Sequence, residues 1–226
     1  MKCLNVAHAG YEGLPANTME SIEKIKDTQC DVLEMDVRCE GTRLYLSHDF
    51  RGEPELCVGL KETLAYIKEN APEKLVGLDL KEPVFKKAFK LVKELEMEDK
   101  VIFTGSVFLR ETLLMRGESR IFYNLENSLP ELNALSTKGD RVKDALEKEI
   151  CKAFEWIARY PVDGVNLDYR LLTKSIVQEA EKRHLKLAVW TVDEISDMSD
   201  MIALGVCSIT TKRPEELAEL LGGRQA

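Results

Sequence analysis

Short runs of β-branched and apolar residues alternate along the chain with stretches where apolar residues recur three and four positions apart. The runs at 4–8, 32–37, 44–47, 75–80, 101–104, 121–125, 164–167, 185–191 and 206–210 predict strands. The stretches at 19–26, 61–69, 84–95, 107–116, 142–160, 172–183, 195–203 and 214–221 predict helices. Run 44–47 follows 32–37 after a polar turn at Glu40-Gly41-Thr42, so it either extends that strand or forms a hairpin beside it. Eight strands then remain, each followed by a helix. Spread over 226 residues this gives about 28 residues per unit, which fits a (β/α)8 TIM barrel near the fold's lower size limit of about 200. A doubly wound open sheet is the alternative, but it usually carries a Gly-rich phosphate loop after its first strand. None follows 4–8. No linker, low-complexity segment or fixed-period repeat breaks the pattern, and 136–140 reads as a loop. The expectation is therefore a single domain over 1–226.

Composition narrows the function. At 44% hydrophobic and 32% charged, the chain is too apolar to be disordered. No run of 18 apolar residues occurs, so no membrane span is expected. The first strand-like stretch runs into a polar loop without a small-residue cleavage site, so it does not read as a secretory signal. Lys and Arg number 32 against 40 Asp and Glu, a net charge of −8 with no basic stripe. That excludes nucleic acid or an anionic membrane as the main partner and leaves a small molecule. The six cysteines form no CxxC pair and read as reduced, buried thiols of a cytoplasmic protein.

The candidate chemistry sits at strand ends. Of three histidines, His8 closes the first strand and His48, followed by Asp49, closes the third. In a barrel these ends line the catalytic face. His184 falls in a helix-to-strand turn and belongs to the opposite face. In Leu33-Glu34-Met35-Asp36-Val37, Glu34 and Asp36 point the same way, about 7 Å apart along a strand. If they face the barrel interior they need a cation or strong donors, because unpaired buried carboxylates are costly. A hard divalent ion, Mg2+ or Ca2+, is the simplest partner; a salt bridge to Arg38 or Lys81 is the alternative. Asp79 and Lys81 repeat the geometry on the next strand, offering a third metal oxygen and a site for an anionic group. Two imidazoles flanking a bound anion can serve as base and acid. Phosphodiester cleavage uses all of these parts.

These residues resemble the glycerophosphodiester phosphodiesterase family. The family pattern of His-Arg-Gly, Pro-Glu-Asn-Thr, Glu-x-Asp-Val, His-Asp, Glu-x-Lys, a Trp-Thr strand and a Thr-Asp-x-Pro end is matched in order. Here it reads His8-Ala9-Gly10, Pro15-Ala16-Asn17-Thr18, Glu34-Met35-Asp36-Val37, His48-Asp49, Asp79-Leu80-Lys81, Trp190-Thr191 and Thr211-Lys212-Arg213-Pro214. The resemblance implies a metal-dependent barrel enzyme that hydrolyses a glycerophosphodiester to glycerol 3-phosphate and an alcohol. It makes His8 and His48 the acid–base pair, and Glu34, Asp36 and Asp79 the ligands of one divalent cation. Lys81 becomes the phosphate contact and Trp190 an apolar wall beside the substrate, although Trp190 also reads as a core residue of its strand.

The departures are Ala9 for arginine, Ala16 for glutamate, Asp79 for glutamate and Lys212 for aspartate. Joint loss of the first two charges suits a pair that normally bind each other. Lys212 reads as a solvated loop charge. An Asp-x-Lys strand also resembles the related sphingomyelinase D enzymes, which form a cyclic phosphate, so a lyase acting on a lysophospholipid-like substrate is one alternative. A catalytically weakened phosphodiester-binding relative is another, and an unrelated enolate-handling barrel enzyme a third. Family members usually carry an inserted subdomain after the His-Asp strand end; here only 50–59 separates His48-Asp49 from the next helix. An open, shallow mouth is expected.

Overall fold

The computed structural model describes residues 2–50, 53–113, 120–132 and 140–222. Within them β1 (Leu4–Ala7), β2 (Val32–Glu40), β4 (Leu75–Leu80), β5 (Val101–Gly105), β6 (Arg120–Asn124), β7 (Gly164–Asp168), β8 (Lys186–Trp190) and β9 (Ser208–Thr211) pair in parallel. Strand β1 pairs with β9 on one side and β2 on the other, which closes eight strands into a barrel. The ninth, β3 (Arg43–Leu46), lies antiparallel on β2 with Val37 opposite Leu46 and Glu40 opposite Arg43. The run at 44–47 is thus the hairpin strand, and the other eight form the barrel.

The helices lie between strands: α1 (Met19–Lys24), α2 (Leu60–Asn70), α3 (Phe85–Glu94), α4 (Leu109–Thr112), α5 (Asp140–Ile157), α6 (Lys174–Lys182), α7 (Ile195–Leu204) and α8 (Pro214–Gly222). Thr18 caps α1 by accepting from Ser21 N, and a 3-10 turn at Ile25–Asp27 completes the helix expected at 19–26. The helix expected at 107–116 is a single turn, α4; residues 114–116 of it, and 136–139 of the expected loop, lie outside the described residues. None of the described helices is long and apolar enough to cross a membrane.

Alternation along the strands divides the side chains. Ala7, Leu33, Met35, Leu78, Phe103 and Ile121 point outward and are buried under the helices. Phe103 packs edge-on against Phe85 of α3, ring centroids 5.0 Å apart. The inward residues change character along the strand direction. Val6, Val32, Ile102, Phe122 and Ala188 pack together in the interior. One or two residues further on, the inward positions are Glu34, Asp79, Thr104, Asn124 and Asn166, and they line a pocket at the C-terminal end. An apolar plug thus holds the barrel from below while a polar ring opens above it.

His184 adopts φ 57° in the turn before β8, at the end opposite His8. All six cysteines are free. Cys3, Cys30 and Cys207 are buried, whereas Cys39, Cys57 and Cys151 are half-buried, correcting the expectation of buried thiols throughout. Their side chains come from the hairpin, the loop before α2 and the outer face of α5, where packing covers only one side.

Because Phe103 is fully buried between sheet and α3, Phe103→Ala should lower the unfolding free energy by about 3–5 kcal/mol. Urea denaturation followed by circular dichroism reads this.

Candidate active site

Strand register brings the acidic residues together. Glu34 and Asp36 are two apart on β2 and share the inward face. Asp36 lies level with Asp79 of β4, and Glu34 level with Gly77. As a result Glu34, Asp36 and Asp79 each offer an oxygen within 4.8 Å of the other two.

Such crowding needs compensation. Lys81 supplies part of it: its Nζ is 2.9 Å from Asp36 Oδ1 and 2.6 Å from Asp79 Oδ2. Burial disfavours the Lys81 charge, but the Asp79 and Asp36 carboxylates more than offset this and hold the ammonium above its usual range. Asn17 supplies the rest, its Nδ2 donating to Asp36 Oδ2 at 2.7 Å and its Oδ1 accepting from Asp36 N at 3.0 Å. Burial, then the charges of Asp79 and Asp36, push Glu34 well above the usual carboxyl range, and Lys81 and the Thr210 hydroxyl only partly counter this. Three carboxylates and one ammonium leave a formal charge of −2. With oxygen donors alone converging, the set fits one hard divalent cation.

Both strand-end histidines border the same pocket, which has a volume of about 410 Å³ and also takes in Asp79, Lys81, Asn124, Glu126 and Trp190. His8 is half-buried; its Nδ1 accepts from Gly10 N at 3.3 Å, leaving Nε2 free for a ligand. Burial foremost, then the cations Lys212 and Lys81, push its pKa below the usual imidazole value against the pull of Asp36 and Asp193. His48 stands at the rim with 64% of its side chain exposed and Nδ1 3.0 Å from Asp49 Oδ1. Arg38 fixes the His48 backbone by donating to its carbonyl at 2.8 and 3.0 Å, so it does not pair with Glu34 or Asp36. Trp190 lines the pocket while its Nε1 is buried without a partner. It therefore serves partly as wall and partly as filler.

Sequence reasoning passed over three features. Asn17 was visible only as part of a motif, and its clamp on Asp36 depends on a φ of 60° that no local pattern announces. Gly105, at φ 76°, packs against the acidic cluster: a Cβ there would overlap Asp79 Oδ1 and the Leu80 carbonyl. The amide of Asn124 holds this turn by accepting from Gly105 N at 3.0 Å. Glu126 lies just past the end of β6, a position that strand-end logic could have picked out. Its two carboxyl oxygens are buried without hydrogen-bond partners. Burial first, with Asp168 and Asp79 adding, raises its pKa to about 7.

The fold and the site together define a barrel enzyme of phosphodiester chemistry. The glycerophosphoryl diester phosphodiesterase family matches residues 55–216, more than half of the chain, and the chain belongs to that family. That match lies downstream of His8, Glu34, Asp36 and His48. A glycerophosphodiester phosphodiesterase of Caldanaerobacter subterraneus subsp. tengcongensis is 24% identical, with 98% of each chain covered. Among solved structures, a glycerophosphodiester phosphodiesterase from Parabacteroides distasonis has a TM-score of 0.75 at 18% identity, covering 99% of this chain and 100% of that one. An Oleispira antarctica phosphodiesterase, solved with sn-glycerol-3-phosphate as product, has a TM-score of 0.71 at 15% identity, covering 96% of both chains.

Two outcomes follow from the geometry. Gly105→Ala should displace Asp79 and weaken divalent-cation binding by about tenfold or more, in line with losses at residues that orient ligands; calorimetric titration of chelator-treated protein measures it. Glu126 has a folded pKa above its unfolded value of 4.5. Its contribution to stability is therefore complete below pH 4.5 and is lost as pH rises through about 7. Glu126→Gln should abolish that loss, raising Tm by several degrees at pH 8 relative to the parent and by less at pH 5, in thermal scans with chelator.

Proposed function

We propose that the protein hydrolyses glycerophosphodiesters to glycerol 3-phosphate and an alcohol. The observation that carries this reading is the convergence of Glu34, Asp36 and Asp79 in one polar pocket with His8 and His48 on its border. A divalent cation, Mg2+ or Ca2+, held by the three carboxylates would polarise the phosphoryl group and orient the diester. Lys81, beside the same oxygens, would contact the phosphate. Water attacks phosphorus, the bond from phosphorus to the alcohol oxygen breaks, one histidine takes a proton from the water and the other gives one to the departing alcohol. Burial holds the His8 ring below its usual pKa, which favours the neutral, proton-accepting form, while the exposed His48 stands across the pocket beside Asp49.

The reading covers residues 1–226 as one domain. Free cysteines throughout support a reducing, cytoplasmic setting. The exposed His48 and the short connection between β3 and α2, whose described residues hold a 3-10 turn at Pro54–Leu56, support a mouth without a large cover and hence a broad choice of alcohol.

His8→Ala and His48→Ala should each cut release of glycerol 3-phosphate from glycerophosphocholine or glycerophosphoethanolamine by about 10²–10⁴-fold, with circular dichroism and Tm unchanged. Parent-like turnover by either variant contradicts the acid–base assignment.

A further inference from the structure

Charge balance across the pocket leaves one requirement unmet. Three carboxylates and Lys81 sum to −2, and a divalent cation brings them to zero. A phosphodiester then adds one negative charge. Lys81 is held by Asp36 and Asp79 at 2.9 and 2.6 Å. Position 9, next to His8, is a buried alanine and brings no charge. A second cation at the pocket's edge would answer that charge.

Strand β9 provides it. Val6 is level with Thr210 and Ala7 with Thr211 across the β1–β9 pair. Leu4 and Val6 of β1, with Ser208 and Thr210 of β9, line the barrel interior. His8, one residue past β1, lines the pocket at the C-terminal end, and Lys212 directly follows the neighbouring strand β9. The His8 N–H donates to the Thr211 carbonyl at 2.8 Å, which ties the two strand ends together at this level. The backbone of Lys212 is pinned on both sides: its N–H donates to Asp193 Oδ1 at 2.8 Å and its carbonyl accepts from Glu12 N at 2.8 Å. Its side chain is exposed, and among the described residues its ammonium forms no ion pair or hydrogen bond. Its charge nonetheless reaches His8, where it opposes protonation of the ring.

We propose that Lys212 is the phosphate ligand that supplies this second positive charge, gripping a non-bridging oxygen of the diester and of the phosphomonoester product beside His8. The assignment replaces the reading of Lys212 as a solvated loop charge, and it rests on the phosphodiesterase reading above. A lysine acts here as a point charge on a flexible stem, so an arginine can replace it.

The test compares full-length parent, Lys212→Met and Lys212→Arg, each supplied with Mg2+ or Ca2+. Glycerophosphocholine turnover gives kcat and KM, and calorimetry gives the affinity for glycerol 3-phosphate and for inorganic phosphate. Lys212→Met should raise KM and weaken both anions by about tenfold, the scale of one lost charge-assisted hydrogen bond, with kcat changed less. Lys212→Arg should restore affinity to within about twofold. If the parent cleaves the diester and Lys212→Met keeps parental KM and anion affinity, Lys212 is not the ligand and the phosphodiesterase reading stands. If the parent binds glycerol 3-phosphate and loses it with Lys212→Met but cleaves no diester, the ligand assignment stands and the hydrolytic reading falls. Absence of both anion binding and turnover in the parent overturns both.

Discussion

Three carboxylates forced within 4.8 Å of one another inside the barrel are the constraint on which the rest of the site depends. At that spacing, and with an effective dielectric near 20, each ionised pair repels by about 3 kcal/mol. The fold tolerates this only because the surroundings answer it. Lys81 lies against two of the carboxylates, the Asn17 amide donates to Asp36 Oδ2, and Glu34 shifts towards its neutral form. Each answer is partial, and a net negative charge remains among the three carboxylates. The site is thus an unbalanced charge arrangement set by strand register.

That register originates in the apolar plug. Val6, Val32, Ile102, Phe122 and Ala188 fill the barrel below the acidic layer, and the outward residues are sealed by α2, α3, α5 and α6. Core packing fixes the twist and stagger of the strands, and these in turn set Asp36 level with Asp79. Gly105 completes the arrangement by omission: a Cβ there would overlap Asp79 Oδ1. The chemistry is therefore coupled to stability, since any change that shifts β4 against β2 or β5 moves Asp79.

Much of this was legible in the chain. Period-two and period-3.6 patterning gave the eight units, and the strand-end rule placed His8, His48, Glu34, Asp36, Asp79 and Lys81 on one face. The hairpin nature of 44–47 was left open, because an extension and a turn look alike when the loop is three polar residues. Other features escaped for physical reasons. The Asn17 clamp needs a left-handed backbone and a partner 19 residues away. The isolation of Glu126 is a matter of missing partners, which no sequence pattern encodes. Lys212 looked like an ordinary loop charge until the pairing of β1 with β9 brought their two ends together, with the His8 N–H on the Thr211 carbonyl. The half-buried Cys39, Cys57 and Cys151 were misjudged because residue type predicts average burial, not the position of one side chain on an outer face.

Dependence of turnover on a divalent cation tests the central claim most directly. Release of glycerol 3-phosphate from glycerophosphocholine is to be measured on chelator-treated protein, before and after adding back Mg2+ or Ca2+. The charge arrangement predicts no product in chelator and recovery with at least one of the two ions. Undiminished turnover in chelator, or no product with either ion, would contradict it.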